Sequence, residues 1–161
     1  MTILVLGVGN ILLSDEAIGV RIAGALAMRY HLPEHVEVLD GGTAGMELLE
    51  AMANRRHLII VDAIVSRKYS PGTVLTLRDD EVPVLFTNKI SPHQLGLADV
   101  LSALRFTGEF PRKLTLIGVI PASLEPRVGL TPVVAASLEP ALARVIAELR
   151  DSGVTLVERA A

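Results

Sequence analysis

Apolar residues along this chain fall into short, nearly unbroken runs that alternate with segments of helical spacing. Thr2 to Val8 is rich in Ile, Leu and Val with little alternation, the pattern of a strand buried on both faces. Gly7-Val8-Gly9-Asn10 then turns the chain. Ser14 is a good N-cap residue, and Asp15 and Glu16 suit a first helical turn. Ile18, Ile22 and Leu26, with Ala23, Ala27 and Tyr30 beside them, mark one apolar helix face, which Pro33 closes. Val36 to Leu39 predicts a second short strand, ended by Asp40-Gly41-Gly42. Thr43 is placed to cap a helix through Ala44, Met46, Leu49, Met52 and Ala53.

His57 to Ile64 contains the clearest buried strand, Leu58-Ile59-Ile60-Val61, with Asp62 at its end. Thr73 to Leu77 predicts another strand after the Pro71-Gly72 turn. About ten residues separate these two, fewer than the dozen or more that a crossover to a parallel strand needs. The later strand is therefore expected to be antiparallel and near an edge. Arg78 to Lys89 reads as polar and irregular. Ser91-Pro92-His93-Gln94 predicts a helix start, with Ser91 and Gln94 at capping-box spacing and Pro92 in the first helical position. Leu97, Val100, Leu101 and Leu104 form its buried face. Lys113 to Ile120 is a fifth strand, stopped by Pro121. Thr131-Pro132 opens a last helix carried by Val134, Leu138, Leu142, Val145 and Leu149, and Pro140 inside that pattern predicts a kink or break. Asp151 to Ala161 reads as a weak strand or frayed tail. Ala-Ser-Leu-Glu-Pro occurs at 122–126 and again at 136–140; a predicted loop and a predicted helix are different contexts, which argues against a structural repeat.

Strands alternating with helices predict an α/β three-layer sandwich: a twisted, mostly parallel five-stranded sheet, one strand antiparallel, with helices on both faces. No linker or shift of composition divides the chain, so one domain over residues 1–161 is expected.

Composition narrows the possibilities. Half of the 161 residues are apolar, enough for a full core, and mean hydropathy is +0.49. No apolar run reaches the roughly 18–20 residues of a membrane helix, so no membrane partner is expected. Ile3 to Leu6 lacks a basic flank and reads as a strand rather than a signal peptide. The cytoplasm is then the default location. Net charge is -3, without a long basic block, and aromatics make up 3%. Base-stacking platforms are nearly absent, which argues against a nucleic-acid partner. Zero cysteines exclude disulfides and thiolate chemistry.

Gly7-x-Gly9 after a first strand has the beginning of a dinucleotide fingerprint, with Asp40 where a ribose-binding acid would stand. The third glycine position falls on Leu12, whose bulk opposes close helix–sheet packing. A tight glycine turn is the simpler reading. Three metal-binding side chains, Glu16, Asp62 and His93, each follow a separate predicted strand, where an α/β sheet places its ligands. Taken singly, Glu16 suits a helix dipole, and His93 is a structural histidine whose helix N-terminus favours the neutral imidazole. Asp62, ending an apolar strand, needs a partner for a buried charge. Taken together, two carboxylates and an imidazole are compatible with nickel, zinc, cobalt or manganese, and three ligands leave coordination positions open. The other histidines are poorer candidates: Pro33 interrupts the His31–His35 pair, and His57 opens a strand at the opposite edge.

Five stretches carry a resemblance. They are Ile3-Leu-Val-Leu-Gly-Val-Gly-Asn10, Leu13-Ser-Asp-Glu-Ala-Ile-Gly-Val20, Asp40-Gly-Gly-Thr-Ala-Gly45, Leu58-Ile-Ile-Val-Asp-Ala63 and Ser91-Pro-His-Gln-Leu-Gly96, continued by Gly118 to Pro121 and Leu124-Glu-Pro126. In this order they resemble the maturation endopeptidases of nickel–iron hydrogenases over nearly the whole chain, with serine at position 14 where threonine is expected. The resemblance implies removal of a C-terminal extension from the hydrogenase large-subunit precursor after nickel insertion. It implies that Glu16, Asp62 and His93 recognise nickel carried by the substrate rather than held as a resident cofactor, although other divalent metals can occupy such a site. Asp62 is a candidate general base, and Gly41, Gly42 and Thr43 are candidates for contact with the substrate tail. Arg78–Lys89 and Pro121–Leu130 are candidate specificity loops, and a monomer is expected. Two other readings stay open: an autonomous zinc metallohydrolase, and a non-catalytic checkpoint that binds the precursor.

Overall fold

A computed structural model describes residues 2–87 and 92–160. Four parallel strands and one antiparallel strand form the main sheet: β1 (Ile3–Val8), β3 (Val36–Gly42), β4 (His57–Ala63), β6 (Lys113–Val119) and β5 (Val74–Arg78), in the order β3-β1-β4-β6-β5. The expected sheet is present, and β5 is the antiparallel edge strand, with Val74 opposite Val119 and Arg78 opposite Thr115. Every residue of β1 and β4 is buried, as their unbroken apolar runs require.

Alternation along the strands divides the core into two. Ile3, Val5, Ile59, Val61, Ile117 and Val119 face α1 (Ile18–Arg29), α5 (Pro132–Ala135) and α6 (Leu138–Asp151). Leu4, Leu6, Leu58, Ile60, Leu114 and Leu116 face α2 (Leu49–Met52), α3 (Glu81–Thr87) and α4 (Pro92–Thr107). The chain leaves β1 toward β3 on one side and later extends from β4 toward β6 on the other. That reversal opens a crevice beyond the carboxyl ends of β1 and β4, the usual ligand position in such sheets.

Several local expectations are corrected. Ser14 is not an N-cap: it lies inside a 3₁₀ turn, Ser14–Ala17, at φ 52, and its hydroxyl donates to Glu125 O at 2.6 Å. Thr43 caps nothing; β3 runs on to Gly42, and a 3₁₀ turn Met46–Leu48 precedes the single turn of α2. Arg78–Lys89 is not wholly irregular, because residues 81–87 form α3 and bury Val82 and Phe86. Its apolar positions are too few to show a periodicity. The last helix breaks between Ala135 and Leu138, before Pro140, which thereby falls in the first turn of α6 where proline is tolerated. The tail does carry the weak strand expected of it, β7 (Val157–Glu158), paired antiparallel with β2 (Tyr30–His31), a two-residue strand that periodicity cannot register. Ser91 of the expected capping box lies outside the described residues. Among the described residues no helix is long and apolar enough to cross a membrane.

Candidate functional site

Glu16, Asp62 and His93 adjoin one another at the crevice. Asp62 is the penultimate residue of β4 and fully buried. His93, the second residue of α4, is buried beside it, with Nε2 at 3.2 Å from both Asp62 carboxylate oxygens. On its other side, His93 Nδ1 faces Glu16 Oε1 at 3.5 Å. The Glu16 side chain is 14% exposed, so the cluster reaches solvent through it.

Glycine geometry puts Glu16 there. Gly9 has φ 133, and a Cβ on it would lie 1.9 Å from Glu16 O. A Cβ on Gly19 would lie 2.1 Å from Val61 O, so α1 sits directly on the ends of β1 and β4. The Gly7-x-Gly9 pattern therefore serves a close backbone approach, with Leu12 exposed at the fingerprint's third position. Asn10 N–H donates to Glu16 Oε1 at 3.1 Å.

Burial pushes the Asp62 carboxyl above its ordinary range, against the pull of the His93 and Gln94 hydrogen bonds. Burial alone would push His93 down. The Asp62 hydrogen bond and the charges of Asp62 and Glu16 outweigh it and hold the imidazole above its usual value. The neutral ring expected from its helix position is thus corrected: two carboxylates oppose a weaker helix dipole. Both ring nitrogens face acceptors, an arrangement that suits imidazolium or, once a proton is lost, a cation. Among the described residues no three acid or histidine side chains stand ready to hold a metal ion. One ion cannot use both ring nitrogens, so a metal ion bound at this cluster would require the ring to give up one of its two contacts.

Two supporting residues escaped the sequence reading. Asp15 reads as a helix-dipole acid, yet its buried carboxylate accepts from the backbone N–H groups of Ala122, Ser123 and Thr131 and from Thr131 Oγ1, at 2.7–3.0 Å. Burial works to raise its pKa, and these bonds together bring it below the ordinary range. Gln94 reads as half of a capping box, yet its amide reaches Asp62. No local signal could have shown either partner, since both are distant in sequence.

Gly41, Gly42 and Thr43 lie at the carboxyl end of β3. Gly42 O accepts from Gly9 N at 2.7 Å, Gly41 O accepts from Ala44 N at 3.0 Å, and Thr43 is exposed. Exposed apolar side chains stand in the loops that leave the same edge, among them Ile11, Leu12, Met46, Val65, Leu124 and Val128.

The family model for hydrogenase maturation protease matches residues 20–148. Hydrogenase 2 maturation protease of Escherichia coli (strain K12) is 74% identical over 161 residues, covering 100% of this chain and 98% of that protein. Hydrogenase expression/formation protein HupM of Azotobacter chroococcum mcd 1 is 45% identical, covering 98% of this chain and 76% of its own length. Among solved structures, the hydrogenase maturating endopeptidase HybD from E. coli superposes with a TM-score of 0.97 at 75% identity, covering 99% and 98% of the two chains. A NiFe hydrogenase maturation protease HybD from Thermococcus kodakarensis superposes with a TM-score of 0.74 at 25% identity, covering 90% and 97%.

Proposed function

The chain belongs to the hydrogenase maturation protease family, and from that premise we propose that it removes the C-terminal extension of a nickel–iron hydrogenase large-subunit precursor once nickel has been inserted. In this reading it acts as a single-domain monomer in the cytoplasm. The nickel belongs to the substrate, and Glu16, Asp62 and His93 recognise it. The observation that carries the proposal is His93 set between two carboxylates at the mouth of the crevice, with a side chain that reaches solvent on one side only. Such a cluster holds a place for a cation without caging one, which suits brief docking on a metal that already has other ligands.

Docking brings the scissile peptide over the sheet edge, and proximity of this kind supplies a large part of a barrier reduction. Nickel there polarises the carbonyl or activates water. Asp62 takes the proton of the attacking water and returns it to the departing amine. Gly41, Gly42 and Thr43 guide the extended tail. The apolar rim around the crevice receives the body of the precursor.

Intact mass spectrometry of a purified precursor incubated with this protein tests the reading. Loss of a C-terminal fragment only from nickel-loaded precursor is expected. Equal cleavage of nickel-free precursor would remove the proposed role of the three ligands.

A further inference from the structure

The strongest unassigned feature is the side chain next to His93. Gln94 is buried, and its Nε2 donates two hydrogen bonds, to Asp62 Oδ2 at 2.9 Å and to Ala63 O at 3.0 Å. Both partners belong to the end of β4. The amide orientation is fixed by chemistry: turned over, Gln94 Oε1 would face a carboxylate and a carbonyl, both acceptors. The amide thus ties the carboxylate plane of Asp62 to its own strand.

The consequence is an asymmetry between the two oxygens. Oδ1 and Oδ2 lie equally far from His93 Nε2, at 3.2 Å, but the Gln94 side-chain amide donates to Oδ2 and not to Oδ1. A metal drawing on Oδ2 would compete with that donor. A metal drawing on Oδ1 would not. Chelation through both oxygens would require the carboxylate to turn away from Gln94.

We propose that Gln94 is a positioning residue that locks the Asp62 carboxylate and presents Oδ1 alone to the substrate's nickel. This rests on the reading of Asp62 as a nickel ligand. Groups that orient metal ligands in this way usually contribute about 10–100-fold in metal affinity or activity. One-point attachment also keeps a coordination position on nickel free for water or the scissile carbonyl.

The test is a nickel titration of the whole protein by calorimetry, in wild type, His93→Ala and Gln94→Met, with the visible spectrum of each after cobalt(II) loading. Gln94→Met keeps the length of the side chain and removes both donors. Nickel affinity is expected to fall about 10–100-fold in Gln94→Met, and the cobalt bands to weaken as Asp62 chelates through both oxygens and coordination number rises. Affinity and spectrum equal to wild type, with His93→Ala impaired, would overturn the inference alone. Nickel binding that is the same in wild type and His93→Ala, or missing from both, would overturn the metal role of the cluster and the inference with it. Should Gln94→Met fail to fold, Gln94→Asn, whose amide is too short to reach both partners, is expected to show the same loss of affinity; an undiminished value would overturn the proposal.

Discussion

At the carboxyl edge of the sheet His93 lies between Asp62 and Glu16; at the amino edge His57 lies between Ser152 and Thr115, with Glu148 behind Thr115. Both histidines are buried and both have a buried acid nearby. Their hydrogen bonds differ in kind. Thr115 donates to Glu148 Oε2 at 3.1 Å, so Thr115 Oγ1 accepts from His57 Nε2 at 2.8 Å. Ser152 Oγ, at 2.6 Å, then donates to Nδ1. One donor and one acceptor satisfy a neutral ring, and Glu148 is in turn paired with Arg78 and lies 3.9 Å from Lys113. Burial, reinforced by the Lys113 charge, pushes His57 down to about 4. At His93 both nitrogens face acceptors, and the same burial is overruled. A histidine with a complete neutral network holds the fold; one aimed at acids on two sides is drawn toward its charged form.

Asp62→Asn should break the carboxyl-edge cluster most deeply. Cleavage of nickel-loaded precursor is expected to fall by at least about a thousandfold, with the thermal unfolding midpoint kept. Normal turnover would remove both roles given to Asp62.

Glu148→Met should do the reverse. It removes the acceptor shared by Thr115 and Arg78, and urea unfolding is expected to show a loss of about 3 kcal/mol, at the low end for a broken buried pair because Arg78 and Lys113 can reach water. Turnover per folded molecule should be unchanged. A specific activity that fell with stability intact would mean that the amino edge takes part in the reaction.

Acid should separate the two histidines. The folded value of His57 lies below its unfolded value of 6.5, so the unfolded chain takes up the proton first. Its contribution is intact above that value and is lost as pH falls from 6.5 toward 4, amounting to about 3 kcal/mol by pH 4. His93 runs the other way: with a raised value, its contribution is complete below 6.5 and fades only as pH climbs through the folded value. Urea unfolding of wild type and His57→Gln across this range checks the sign; a parallel decline in the variant would remove His57 as the cause.

Thr43→Ala should give the smallest change, a rise in KM of up to about tenfold, equal to about 1.4 kcal/mol, with kcat held. It tests tail contact more cleanly than a substitution at Gly42, whose φ of 51 would strain a branched side chain. An unaltered KM would take Thr43 out of the tail path.

The difference between the two edges also marks how far the sequence could be read. Burial on both faces wrote β1, β4 and β6 into the chain as apolar runs, and the short gap before Val74 was enough to turn β5 antiparallel. Glu16, Asp62 and His93 were visible because each follows a strand, which is a statement about topology. The His57 network was not, since its members come from the start of β4, the middle of β6 and the end of α6, and nothing local joins Thr115 to Glu148. Gln94 and Asp15 were hidden for the opposite reason. Each suggested an adequate local role, as capping partner or dipole acid, while its long-range hydrogen bonds left no local trace. Helix α3 and strand β2 are too short for periodicity to register.

The clamp made by Asp15 has a consequence for the speed of recognition. Four hydrogen bonds to Ala122, Ser123 and Thr131, the Ser14 bond to Glu125, and the short parallel bridge between Leu13 and Arg127 fasten the loop after β6 to the turn that carries Glu16. The conformational freedom of that loop is surrendered during folding and need not be surrendered again when a substrate arrives. One wall of the crevice is therefore already set before any partner arrives, and were the proposed precursor to dock there, little of the docking energy would go into shaping the receptor.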